Sequence, residues 1–184
     1  LHGNDSMGIT AENLRELSSV DSANTSREEQ DRFSLQSTER ALAATDSGRF
    51  KDEIMPVEIP QRRADPIVFD VDERPRRGST SEKLAKLRPA FKEGGSVTAA
   101  NSSGINDGAA ALVMMSAEKA AELGLTPMAT WVASGAAGVD PRTMGWGPVP
   151  ATRKALDRAD MEISDLHLVE LNEAFAVQAL TCIN

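Results

Sequence analysis

Ala109 to Met115 reads Ala-Ala-Ala-Leu-Val-Met-Met, an apolar run with no polar interruption. Its length and its lack of alternation fit a strand buried on both faces. Such a strand needs neighbours on either side and cover above and below, so it selects a layered α/β arrangement. The flanks agree. Ser116 is placed to cap a helix over Ala117–Leu123 that Gly124 closes. Met128 to Ser134 reads as a second strand, Gly135 to Gly147 as a Gly-rich connection, and Pro150 to Ala159 as a helix. Leu166 to Leu171 reads as a third strand. It ends on Asn172-Glu173 and runs into a helix beginning with Ala174-Phe175-Ala176-Val177. Strands alternating with helices predict an α/β sheet.

Residues 1–95 have a different character. Met7 to Leu14 predicts a short helix capped near Thr10, and Ser18 to Thr25 a polar loop. Ser26-Arg27-Glu28-Glu29 has the form of a capping box, with Ser26 as N-cap and Glu29 reaching back. The helix it opens runs to about Thr45, before Gly48, with a small apolar face of Phe33, Ala41 and Leu42. Pro56, Pro60 and Pro66 then forbid a long helix or a central strand, leaving Val57–Ile59 and Ile67–Phe69 as short extended pieces. This half reads as a small, charged, irregular unit.

Composition narrows the function. No run of eighteen apolar residues is present to span a membrane. The start, Leu1 to Thr10, has no apolar signal-peptide core. A single cysteine, Cys182, forms neither an internal disulfide nor a cysteine metal cage, and fits an intracellular, cytoplasmic protein, or an organellar matrix in a eukaryote. A net charge of −8 argues against general nucleic-acid binding. Yet Arg74, Arg76, Arg77, Lys83, Lys86, Arg88 and Lys92 stand together with Glu82 as the only acid among them. Such an island suits a compact anion such as a phosphate, or is simply a solvated segment.

Five features are weighed for chemistry. Thr98 to Gly108 is built of small residues, so a ligand or a tightly packed strand comes close to that backbone. It is neither a phosphate loop nor a dinucleotide fingerprint. Asn172 is neutral near pH 7, but its carboxamide both donates and accepts. It suits oxyanion stabilisation, or it caps the following helix. Glu173 is a general base or, on the preferred reading, a first-turn carboxylate facing the helix dipole. His167, inside the strand, reads as structural or exposed. Cys182, ten positions beyond Asn172, is placed about 15 Å further along a continuing helix and reads as a buried, inert thiol.

Asn172-Glu173-Ala174-Phe175-Ala176 resembles the Asn-Glu-Ala-Phe block of thiolases, the acetyl-CoA acetyltransferase and 3-ketoacyl-CoA thiolase family. The likeness extends in family order through Met7–Asn13, Gly48–Ile54, Leu84–Phe91, Val97–Ala111, Gly138–Pro141, Met144-Gly145 and Gly147-Pro148. It implies a partial thiolase-like layered α/β fold: a loop domain over residues 1–95, the last strand and helix of the N-terminal half over 96–124, and the start of the C-terminal half over 125–184. It also implies a CoA-thioester acyltransferase that works by thiolysis or Claisen condensation. CoA is then substrate, no further cofactor or metal is needed, and the full-length enzyme is a homo-oligomer. By resemblance, Asn172 holds an oxyanion-hole water and Arg76 contacts the CoA nucleotide. Met7, Ala99, Ser103, Ala174 and Phe175 line the pantetheine channel.

The departures are equally specific. The family's nucleophilic cysteine block belongs before residue 1. Its Gly-His-Pro and second-cysteine blocks belong after residue 184. His2, His167 and Cys182 match none of them. Ser6 stands where many members have histidine, and the loop Leu14–Thr25 is longer than usual. The expectation is an internal fragment, inactive and not independently stable. A non-catalytic CoA- or phosphate-binding module and a degenerate assembly protein are the alternatives.

Overall fold

A computed structural model describes residues 5–17 and 24–184. The loop expected over Ser18–Thr25 falls mostly outside them, as does His2. Helix α1 spans Met7–Asn13 and continues as a 3-10 turn over Leu14–Glu16. Its N-cap is Ser6, whose hydroxyl accepts from the Ile9 amide at 3.4 Å; Thr10, the expected cap, lies inside and donates to the Met7 carbonyl. Helix α2 spans Arg27–Asp46. Ser26 caps it by accepting from the Glu29 amide, but the reciprocal half of the capping box is absent because the Glu29 side chain pairs with Arg32.

Val57–Ile59 (β1) and Ile67–Phe69 (β2) form an antiparallel hairpin with Glu58 opposite Val68, flanked by the prolines that keep it short. Helix α3 covers Ser81–Ala85 and α4 covers Ala117–Glu122. Ser116 caps α4, and Gly124 follows it at φ +65°, where a side chain would be strained. After a 3-10 segment over Pro141–Trp146, α5 runs Pro148–Ala159, two residues earlier than the sequence predicts, because Pro148 is itself accommodated in the first turn. Helix α6 covers Ala176–Ile183.

The core is small. Ala11, Leu14, Val97 and Val177 are buried together, with Leu17, Trp146 and Phe175 packed against them. It joins α1, the segment after Gly94 and α6. At Gly145 an added Cβ would stand 2.9 Å from Leu14 Cδ1 and 2.8 Å from Gln178 Cγ, so glycine permits the close approach of the 3-10 segment to both helices.

The three expected α/β strands do not form a sheet among the described residues. Ala109–Met115, Met128–Ser134 and Leu166–Leu171 are unpaired, and Leu112 and Val113 are 88% and 89% exposed. The physical reason is the one that made the run diagnostic. Strand geometry in such a segment is held by neighbours on both edges, and no other described segment pairs with these three as a strand.

Candidate functional site

The chain around Asn172 is held by backbone bonds to the small-residue stretch. The Ser103 amide donates to the Ala174 carbonyl at 2.9 Å, and the Ala176 amide donates to the Asn101 carbonyl at 2.9 Å. Ser102 and Phe175 form a single antiparallel bridge. Thus, of the two readings of Thr98–Gly108, close packing against another segment is realised at Asn101–Ser103, and it brings that stretch to Asn172.

Helix α6 begins only at Ala176, with Phe175 at the N-cap. This corrects two expectations. Asn172 is not a helix cap: its carbonyl accepts from the Ala174 amide at 3.0 Å in a tight turn, and among the described residues nothing bonds its exposed carboxamide. Glu173 is not a first-turn carboxylate: it accepts from the Ser37 hydroxyl of α2 at 2.6 Å. The bridge to Ser102 needs extended backbone at Phe175, and this delays the helix.

Two concavities meet at Asn172. The first is an apolar concavity of about 360 Å³, open to solvent, between α1, the 3-10 segment and the start of α6. Met7, Asn172, Ala174 and Phe175 line it, and so do Thr10, Met144, Gly145 and Gln178, none of which the residue pattern assigned a role. Met144-Gly145 was visible only as one of the blocks that carry the family resemblance. The second is an open groove of about 840 Å³ with α2 as its floor. Arg76, Ala99 and Ser103 line it, together with Asn172, Arg74, Arg77 and Lys83. The site residues named from sequence therefore fall into two groups that share Asn172. Ala99 and Ser103 lie on the basic side, apart from Met7.

The groove's charge is partly committed. Arg77 makes a bidentate pair with Asp46, at 3.0 and 2.5 Å, and this hydrogen bonding holds the Asp46 carboxyl below its usual range. Lys83 Nζ donates to the Gly78 carbonyl at 2.6 Å. Arg74 and Arg76 have no ion-pair partner among the described residues, and the Arg74 guanidinium lies against Gly104. Cys182 lines neither concavity. Its Sγ lies 3.4 Å from Gln178 Nε2 and 3.5 Å from the Gly145 carbonyl, and burial pushes the thiol pKa up, the wrong direction for a nucleophile. It is half-buried, not fully buried as the sequence suggested. His167 is exposed. Among the described residues no group of His, Cys, Asp or Glu is placed to hold a metal ion, and no helix is long and apolar enough to cross a membrane.

An amide at the meeting point of an apolar cavity and a basic groove suits a ligand with a long uncharged arm, a polarisable carbonyl and an anionic end. Residues 1–118 match the thiolase N-terminal domain and residues 125–184 the thiolase C-terminal domain. This chain belongs to the thiolase family. The acetyl-CoA acetyltransferase of Pseudomonas aeruginosa is 55% identical over 174 residues, which are 95% of this chain and 43% of that protein. That of Syntrophomonas wolfei is 56% identical over 95% of this chain and 42% of its own length. Among solved structures, the Bacillus anthracis acetyl-CoA acetyltransferase superposes with a TM-score of 0.87 at 52% identity, over 96% of this chain and 43% of that one. Human mitochondrial 3-ketoacyl-CoA thiolase in complex with CoA superposes with a TM-score of 0.84 at 44% identity, over 96% and 42%. The chain spans less than half the length of these relatives, and its fold is a partial thiolase fold.

Proposed function

We propose that this chain forms the CoA-facing wall of a thiolase-type acyltransferase. The basic groove receives the nucleotide end of CoA through Arg76, the pantetheine arm passes Ala99 and Ser103, and the thioester lies at Asn172. Met7, Ala174 and Phe175 form the apolar side. The observation that carries this reading is the placement of Asn172 on the shared rim of both concavities, with its carboxamide unspent.

The chemistry follows from that amide. When a thiol sulfur or a carbanion adds to a thioester carbonyl, negative charge builds on the oxygen. An amide N–H, directly or through a held water, stabilises that charge without gaining or losing a proton. Asn172 therefore polarises and holds. The acyl group moves from one sulfur to another, or to carbon, only with a nucleophilic thiolate and a proton carrier. Cys182 is turned away with its thiol pKa raised, so those groups come from outside these 184 residues and the chain by itself is inactive. In this reading residues 1–95 are the loop domain, 96–124 close the N-terminal half and 125–184 open the C-terminal half. CoA acts as substrate and no separate cofactor takes part.

The test is steady-state kinetics of the protein expressed from the complete reading frame containing this sequence. Asn172→Ala is expected to lower kcat by about 100-fold or more while CoA affinity changes by less than about threefold. An unchanged kcat sinks the assignment.

A further inference from the structure

Two stretches that line the basic groove are joined by a polar relay, buried at Asp31 and Asn101 and partly exposed at Arg27. Arg27, the first residue of α2, donates from its guanidinium to the carbonyls of Leu84 at 2.8 Å and Leu87 at 3.1 Å. Its Nε bonds Asp31 Oδ2 at 2.8 Å. Asp31 Oδ1 accepts from Asn101 Nδ2 at 3.1 Å. Asn101 is fully engaged: Nδ2 also donates to the Ser96 carbonyl, Oδ1 accepts from the Thr98 amide at 2.7 Å, and its own carbonyl receives the Ala176 amide. All of these stretches line the groove: Leu84 and Leu87 follow Arg76 and Lys83 along the chain, whereas Asn101 and Ser103 are bonded to the segment that carries Asn172 and Ala176; we call the two the anion-binding wall and the Asn172 wall.

Local helix energetics does not explain this arrangement. A cation in the first turn of α2 opposes the helix dipole, and Glu28 and Glu29 beside it are the residues that the dipole favours. Burying Asp31 and Asn101, at 7% and 2% exposure, is tolerable only because their polar atoms are bonded on both sides. The guanidinium meets two carbonyls through one terminal nitrogen and the carboxylate through Nε, a planar spread of donors that the single nitrogen of a lysine ammonium does not reproduce.

We propose that Arg27, Asp31 and Asn101 are positioning residues that set the distance between the anion-binding wall and the Asn172 wall. The proposal rests on the CoA reading above. A ligand held at both ends binds more tightly than its parts only if the two contacts stand at the right separation, so the relay converts two weak contacts into one strong one. A loose relay leaves each contact intact and loses their cooperation.

The experiment titrates CoA and, separately, pantetheine into the protein from the complete reading frame. It compares the wild type with Arg27→Met, Arg27→Lys and Val177→Ala, a core change that lowers stability without touching the relay. Arg27→Met is expected to weaken CoA about 30-fold and pantetheine less than about threefold. Arg27→Lys, which keeps the charge and the Asp31 pair, is expected to fall between, and it carries the test if the methionine variant does not fold. Val177→Ala is expected to lower Tm and leave the ratio of the two affinities unchanged. A ratio at the wild-type value in Arg27→Lys and Arg27→Met, or a ratio that falls equally in Val177→Ala, overturns the relay while leaving the CoA reading intact. A wild type that binds neither probe overturns the CoA reading and the relay with it.

Discussion

Two tryptophans mark the two kinds of structure in this chain. Trp146 packs against the buried cluster of Ala11, Leu14, Val97 and Val177. Trp131, in the segment expected to be a strand, is 66% exposed, and its apolar neighbours Met128 and Val132 face solvent with it. Both segments are apolar in sequence. They differ in where their partners lie. The packed region is closed by contacts among α1, residues 95–103, the 3-10 segment and α6. The exposed region needs strand neighbours that the described residues do not include. Hydrophobic pattern states that a segment must be covered; it does not say by what.

The largest consequence is cooperativity. The isolated 184-residue chain is expected to show no sharp thermal transition, and acrylamide is expected to quench Trp131 in it freely. In the protein from the complete reading frame, a cooperative melt and a shielded Trp131 are expected. Fluorescence of Trp131→Phe and Trp146→Phe variants separates the two signals. A cooperative melt of the isolated chain would show that the packed region stands alone.

Within the packed region, Glu12 sets the next effect. Its buried carboxylate accepts from the Ser96 amide, the Ser96 hydroxyl and the Val97 amide, at 2.8 to 3.0 Å. Glu12→Ala removes the acceptor from three donors and is expected to cost about 3 kcal/mol in urea unfolding of the complete protein. Leu112→Ser measured in the isolated chain, where that side chain is already in water, is expected to leave the fluorescence of Trp146 unchanged. A small cost for Glu12→Ala would mean that water replaces the carboxylate.

A smaller effect separates Cys182 from a reactive thiol. Burial raises its pKa, so the protonated form persists through the pH at which a free thiol ionises. Its reaction with a disulfide reagent is expected to be several-fold slower than that of a free thiol at pH 8, and to rise only in more alkaline solution. Equal rates at pH 8 would contradict the raised value.

Local features were legible wherever short-range chemistry decides them. Ser26 and Ser116 cap the helices expected of them, Gly48 and Gly124 end them in the left-handed region, and the prolines confine β1 and β2. Long-range pairing was not. The start of α6 moved to Ala176 because Phe175 bridges Ser102, a contact invisible in either segment alone. For the same reason Asn172 and Glu173 lost their cap and dipole roles. The polar relay through Arg27, Asp31 and Asn101 was also out of reach. In sequence Arg27 is a surface helix residue, and only the fold brings it to Leu84 and Leu87. The seven candidate residues were named by resemblance, and the fold places them around two concavities where one channel was expected.

The methionines offer the most direct measurement of the central claim, that ligand binds where the two concavities meet at Asn172. Met7 and Met144 line the apolar cavity; Met114, Met115 and Met128 lie in the exposed segments. CoA is titrated into methyl-labelled protein from the complete reading frame, with the signals assigned by single substitution. The account expects saturable shifts at Met7 and Met144, none at Met114, Met115 and Met128, and a weaker titration in Arg76→Ala. Shifts confined to Met114, Met115 or Met128, or no saturable shift at Met7 and Met144, would contradict it.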